Sequence, residues 1–275
     1  MNKTILITGC STGIGRACAL GMQERGWQVF ATARKPADLE DLNAKGLKTV
    51  YLDYSEPDSI SECANQVLEM TGGRLDVLFN NGAYGQPGAV EDLRPDVLRQ
   101  QFEVNLFGWH DLTCRIIPAM RAQGHGRIIQ CSSVLGLVGL RFRGAYVASK
   151  FALEGLSDCM RLELRDANIS VSLIEPGPIE TRFTAAAVEA FDANVDAENS
   201  VFAEVYEKRR KHLEKGGTTR FKLGPEAVLK RLIHAAESQN PKARYAVTTP
   251  TYLMDGLRRL LPTRLLDIVA DRVSD

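Results

Sequence analysis

The sequence predicts an α/β fold: one domain built on a parallel sheet with helices on both faces. Three observations carry this. Short, nearly continuous apolar runs recur along the chain, as strands buried on both faces require. Between them lie longer stretches with apolar residues at helical spacing. The 275 residues, 44% of them hydrophobic and 25% charged, can bury one large core, and no internal repeat or Ser/Gly/Pro linker divides them.

The elements follow in order. Residues 4–8 form an apolar run, and residues 13–25 place Ile14, Ala17, Cys18 and Met22 on one helical face. Strands are predicted at 28–33 and 48–52, a helix from near Asp58, and a strand at 75–80. A helix over 95–122 is expected to break or bend near Pro118. A strand at 126–132, a helix at 145–165 and strands at 169–175 and 243–247 complete the alternation. Residues 181–222 contain no clear strand and interrupt the rhythm, as a helical lid over a substrate does. The tail from Tyr252 to Asp275 is rich in Leu and interrupted by Pro262. It is expected to pack on the domain or on a second subunit, with a membrane surface as the weaker reading.

Composition excludes several classes. Lys+Arg and Asp+Glu are both 34, so no general attraction to nucleic acid is expected. No apolar run approaches the ~18 residues of a membrane span. Cys10, Cys18, Cys63, Cys114, Cys131 and Cys159 form no CxxC pair, and the four histidines show no metal spacing. Reduced, buried thiols in a cytoplasmic protein without a metal are expected, and a strand that starts at Lys3 leaves no room for a signal peptide. Lys208, Arg209, Arg210, Lys211, Lys215, Arg220 and Lys222 form a basic cluster. It reads as a solvated helix face, or as an attractor for an anionic substrate or carrier.

The first chemical signal follows the first strand, in Thr8-Gly9-Cys10-Ser11-Thr12-Gly13-Ile14-Gly15. Gly9 suits the tight exit from the strand, Gly13 a close backbone approach to a pyrophosphate, and Gly15 the packing of helix on sheet. The helix N-terminus adds N–H donors and a positive dipole end. A dinucleotide site is expected in preference to a purely structural turn. At the end of the second strand stands Ala33-Arg34-Lys35, with no acid before Asp38. An acid there would bond the ribose 2′-OH of NAD, whereas Arg34 can hold a 2′-phosphate through its forked donors, so NADP(H) is favoured over NAD(H).

The second signal is Tyr146-Val147-Ala148-Ser149-Lys150. On a helix, Tyr146 and Lys150 are i and i+4 and face the same way. A neighbouring ammonium lowers a phenol's pKa and makes it a usable general acid/base. Two surface residues on a helix would show the same spacing. Ser133 lies thirteen residues upstream in Cys131-Ser132-Ser133, Asn105 in Glu103-Val104-Asn105-Leu106, and Asn80-Asn81-Gly82-Ala83 after an earlier strand. Pro176-Gly177-Pro178-Ile179-Glu180-Thr181 follows a later one.

In this order and combination the chain resembles the short-chain dehydrogenase/reductase family, with specific motifs from Thr4 to about Thr181. It is most similar to the branch of 17β-hydroxysteroid and retinol dehydrogenases and bacterial NADP-dependent aldehyde reductases. The resemblance implies a doubly wound Rossmann-type fold and a dimer or tetramer joined through helix surfaces in 102–120 and 151–164. It implies Tyr146 as proton donor and acceptor, Lys150 on the nicotinamide ribose, Ser133 on the substrate oxygen, and Asn105 holding a water of the proton relay. It places Gly9, Ser11, Thr12, Gly13, Ile14 and Gly15 at the pyrophosphate turn. Asp53 falls at the adenine, Asn81 and Gly82 beside the adenosine ribose, and Pro176, Gly177, Ile179 and Thr181 on the nicotinamide side. The family usually reads Asn-Asn-Ala-Gly where this chain has Asn80-Asn81-Gly82-Ala83, which puts a Cβ where Gly is expected. Ser133, Tyr146, Leu135, Leu140 and Phe183 are the expected substrate contacts, in an apolar pocket suited to a lipophilic carbonyl or alcohol. A dehydratase or epimerase of the same fold, and a non-catalytic dinucleotide sensor, are the alternatives.

Overall fold

A computed structural model describes residues 3–214 and 221–274. Its sheet has seven strands, all parallel, in the order β3-β2-β1-β4-β5-β6-β7. They are β1 (Thr4–Ile7), β2 (Gln28–Ala33), β3 (Lys48–Tyr51), β4 (Val77–Asn80), β5 (Gly126–Cys131), β6 (Ile169–Glu175) and β7 (Arg244–Ala246). Each lies within two residues of its expected position, because continuous apolar runs bounded by turn residues are an unambiguous signal. Ile5, Leu6, Ile7, Phe30, Leu78, Phe79, Ile128, Leu173 and Ile174 are fully buried at the centre of this sheet. The chain winds outward from β1 to β3, then crosses back to place β4 beside β1. The loops after β1 and β4 therefore leave in opposite directions and open the crevice in which doubly wound folds bind ligands.

Helices cover both faces. They are α1 (Gly13–Glu24), α2 (Pro36–Ala44), α3 (Pro57–Met70), α4 (Pro95–Phe102), α5 (Gly108–Gln123), α6 (Gly144–Glu163), α7 (Phe183–Asn194), α8 (Ala203–Glu214), α9 (Glu226–Glu237), α10 (Thr249–Leu260) and α11 (Thr263–Ser274). On one face α1 packs on α9; on the other α3 packs on α5. The sequence reading passed over α2 because only Leu42 on it is buried, so it carries no apolar stripe.

The expected break at Pro118 is corrected: α5 runs through it without interruption. Pro118 faces solvent, where water can satisfy the carbonyl that its missing N–H abandons. The discontinuity lies instead at Glu103–Phe107, a turn of π-helix centred on Asn105. Such turns are frequent at functional sites.

The segment 181–222 contains α7 and α8; Lys215 and Arg220 of the basic cluster lie outside the described residues. Phe191, Phe202 and Tyr206 from this segment pack with Ala89 and Phe142 of the body. The tail docks on the domain: Met254, Leu257, Leu266 and Val269 cover Val134, Leu137 and Val138. Among the described residues no helix is long and apolar enough to cross a membrane.

Candidate active site

The crevice begins at the glycine turn. Gly9 and Gly13 have φ of +69° and +58°, a region that other residues enter only under strain. Space is equally restrictive. A Cβ on Gly9 would stand 2.5 Å from the Gly82 Cα, and one on Gly15 would stand 2.2 Å from the Gly9 carbonyl oxygen. The turn and the segment after β4 thus meet glycine against glycine. The Gly82-Ala83 order satisfies this contact, since neither residue takes a positive φ and Ala83 packs against the core.

The start of α1 is open to an anion. Thr12 makes no side-chain cap, and no acid lies in the first turn. The orphan N–H groups and the dipole end therefore remain available to a phosphate. Thr181 lies across from Gly13, where a Cβ on the glycine would be 3.0 Å from the threonine side chain. Gly177 backs onto Thr248, whose Oγ1 would be 2.1 Å from an added Cβ. The 176–181 loop is thus folded back over the turn, and Ile179 bridges to Leu223. Donors without caps and a cradle that side chains would fill both fit a dinucleotide pyrophosphate.

Two residues that the sequence reading missed organise the floor. The buried Thr8 Oγ1 accepts from the Asn81 N–H (2.8 Å) and the Gly82 N–H (3.1 Å). The Tyr54 hydroxyl lies 2.9 Å from Thr8 Oγ1 and donates to Asn80 Oδ1 at 2.8 Å. On the adenosine side, Asp53 Oδ1 accepts from the Ser55 N–H and hydroxyl. Its other oxygen is 3.8 Å from Arg34, an exposed side chain. Arg16 ties the turn down by donating to the Ser11 carbonyl (3.1 Å) and pairing with Asp41.

The second half of the site lies on β5 and α6. Ser133 leaves β5 just ahead of a 3-10 turn, and its hydroxyl accepts from the Leu135 N–H at 3.1 Å. Tyr146 and Lys150 lie on the buried face of α6. Lys150 Nζ donates to the Cys131 carbonyl (2.9 Å), 4.2 Å from the Trp109 ring centroid and 5.7 Å from that of Tyr146. Trp109 is held in turn by an Nε1–H donated to the Gly82 carbonyl at 2.8 Å. Asn105 uses its amide on the Tyr84 backbone, accepting at 3.2 Å and donating at 2.8 Å. The Phe183 ring sits edge-on to Tyr146, 5.5 Å between centroids. Leu140 instead lines a groove against Asp267, Ile268 and Asp271 of α11.

Burial pushes the Tyr146 phenol well above its ordinary value, opposed by the Ser133 hydroxyl and by the charge on Arg143. Burial dominates this shift; the Lys150 ammonium is directed at the Cys131 carbonyl and Trp109, with its charge 5.7 Å from the tyrosine ring. Burial brings Lys150 itself down to about 8. Tyr146 therefore stays protonated through the neutral range.

Beside α6 lies a partly buried ionic cluster. Arg244 reaches Glu154 (3.1 Å), Asp158 (2.8 Å) and Glu175 (3.3 Å). Glu175 Oε1 nevertheless accepts no hydrogen bond. Burial, reinforced by Glu154, raises the Glu175 carboxyl from 4.5 to about 8. The folded protein thus holds a proton there that the unfolded chain releases above 4.5, so this contribution to stability is present at low pH and is lost as pH rises toward 8 and beyond. Relative to Glu175→Gln, the wild-type Tm is expected to fall by several degrees between pH 5 and pH 9. Melting curves of both proteins across that range check it, and a constant difference would refute it.

The comparisons agree with this geometry. The short chain dehydrogenase family model matches residues 3–191. The chain is 44% identical over 268 residues to the uncharacterized oxidoreductase YbbO of Escherichia coli, covering 97% of this chain and 93% of that protein. It is 31% identical to an NADPH-dependent 3-dehydrocapnine reductase of Ornithobacterium rhinotracheale, over 95% and 94% of the two chains. Human retinol dehydrogenase 8 is 37% identical over 66% of this chain and 60% of its own. A short-chain dehydrogenase from Streptomyces avermitilis superposes with a TM-score of 0.79 at 31% identity, over 98% and 93%. The chain belongs to the short-chain dehydrogenase/reductase family. It is an oxidoreductase of that family, whose members bind NAD(P).

Proposed function

We propose that the protein interconverts a carbonyl and an alcohol on a lipophilic substrate, using NADP(H). The observation that supports this most directly is the convergence of Ser133 and Lys150 on Tyr146: the serine hydroxyl acts on the phenol and the Lys150 ammonium lies 5.7 Å from its ring. A bound nicotinamide supplies or accepts the hydride. The chain's own groups manage the proton and the charge. Ser133 donates a hydrogen bond to the substrate oxygen, and Tyr146 gives that oxygen its proton in reduction and removes it in oxidation. The Lys150 ammonium, held beside the tyrosine ring, steadies the resulting phenolate and bonds the nicotinamide ribose. Asn105 acts through the loop it pins at Tyr84.

Phe183 against Tyr146 gives this side of the site an apolar character. The 3-dehydrocapnine reductase is a full-length relative with an NADPH-dependent activity, which favours the same cofactor here. A panel of aldehydes, ketones, steroids and retinoids, with NADPH consumption matched to product, tests the reading. Product without net cofactor turnover would point to a dehydratase or epimerase.

Assembly is part of the proposal. Leu98, Phe107, Phe151 and Leu162 are exposed on and beside α4 and α6, as surfaces that pair across a two-fold axis are. Light scattering is expected to give two or four times 30.3 kDa at micromolar concentration, and a monomer would reject it.

A further inference from the structure

Arg143 stands three residues before Tyr146, at the N-cap of α6. The two side chains therefore share a face of the first turn, close enough for the Arg143 charge to act on the Tyr146 phenol. It is half-buried, yet among the described residues its guanidinium makes no ion pair and no hydrogen bond. A partly buried charge without an acid beside it is unusual, because desolvation is left uncompensated. Burial lowers Arg143's proton affinity, and Arg209 of α8 is close enough for its charge to lower it further.

The backbone is also held in a strained form here. Phe142 has φ +62°, a conformation that bulky residues rarely adopt. Its carbonyl accepts from the Gly88 N–H at 3.0 Å, and its ring packs edge-on to Phe202 and Tyr206 with the Arg209 guanidinium 4.5 Å above it. The lid thus clamps the residue that aims Arg143. Strain of this kind persists only where surrounding contacts enforce it, and it concentrates at ligand clamps.

We infer that Arg143 is an anion subsite, which takes a carboxylate, sulfonate or phosphate group carried by the substrate a few bonds from its reacting carbonyl. The inference rests on the carbonyl/alcohol reading above and deepens it. Neighbours one helical turn apart have Cβ atoms roughly 5–6 Å from each other, which sets the short spacing between the two substrate groups. A guanidinium fork suits the three oxyanions equally. The lipophilic substrate becomes an amphiphile, its tail under Phe183 and its charged group on Arg143.

Two measurements separate the subsite from the reaction. Calorimetry with octane-1-sulfonate on NADP-loaded protein needs no turnover. Arg143→Gln is expected to weaken binding on the order of 10- to 100-fold, the value of one lost charged hydrogen-bonding partner, and Arg143→Lys to recover part of it. Equal binding by wild type and Arg143→Gln, or wild-type binding no tighter than that of octan-1-ol, overturns the inference. In turnover, 4-oxononanoate is compared with its methyl ester. The ratio of their kcat/KM values is expected to fall by the same factor in Arg143→Gln, and general effects through Tyr146 cancel in that ratio. An unchanged ratio overturns the inference. Arg143-dependent sulfonate binding in a protein that reduces no carbonyl compound would reject the proposed reaction and leave the subsite standing. Melting temperatures of both variants confirm that the fold is retained.

Discussion

Replacing Tyr146 by Phe is expected to lower turnover by a factor on the order of 10² or more while NADPH still binds. Only the hydroxyl is removed. The ring stays buried in α6, with Phe183 against its edge, so the crevice keeps its shape. The loss should appear in kcat, because the proton moves only as the carbonyl is reduced. Cofactor affinity should change little, since the glycine turn that fits the pyrophosphate follows β1 whereas the phenol lies on α6. Ser133 remains and can still hydrogen-bond the substrate oxygen, which leaves a residual rate above background. Near-normal turnover in Tyr146→Phe would show that another group carries the proton.

The pH dependence follows from the same geometry. A phenol raised by burial is a reliable donor at neutral pH and a poor base. Oxidation needs the phenolate, so it depends more strongly than reduction on whatever opposes burial. Ser133 and Arg143 both do so. Arg143 therefore touches two aspects of the chemistry, the tyrosine's acidity and the substrate's charge, and this is why the ratio of two substrates is a cleaner measure than either rate alone.

The sheet and the main site were legible in the sequence because their signals are local. Ile5 to Ile7 and Leu173 to Ile174 read as buried strands from composition alone, and Tyr146 with Lys150 is a spacing within one helix. What was not legible depends on contacts between distant segments. Gly9 and Gly82 are both glycine because their backbones meet across the crevice, which no single turn reveals. Thr8, Tyr54 and Trp109 read as ordinary core residues, yet their hydrogen bonds fix the loop after β4. The helix break was misplaced from Pro118 to its true position at Asn105, because a π turn has no residue signature whereas proline has a strong one. Arg143 was passed over for a similar reason: its meaning lies in the absence of an acidic neighbour among the described residues, and that is a property of the fold.

Arg34→Ala is expected to weaken NADPH on the order of 10- to 100-fold and to leave NADH nearly unchanged, since one charged hydrogen-bond partner is worth ~1.5–3 kcal/mol. Arg34 follows the last residue of β2, whose neighbour Thr32 accepts from the Cys10 N–H of the glycine turn at 2.7 Å. The arginine is therefore anchored at the crevice edge while its head is exposed. Its ion pair with Asp53, at 3.8 Å, is long and solvated, and such pairs contribute about 0–1 kcal/mol. Releasing it to a 2′-phosphate loses little and gains a doubly charged partner. Ala33→Asp should shift preference further, because it adds an acceptor for the ribose 2′-OH and a repulsion against the phosphate. Ala33 is only 3% exposed, so the new carboxylate must turn into the crevice to stay hydrated, and a melting curve must accompany the titration. Both cofactors titrated against wild type and the two variants decide the matter. Wild-type protein that binds NADH as tightly as NADPH, or an Arg34→Ala variant that loses both equally, would overturn the assignment to NADP.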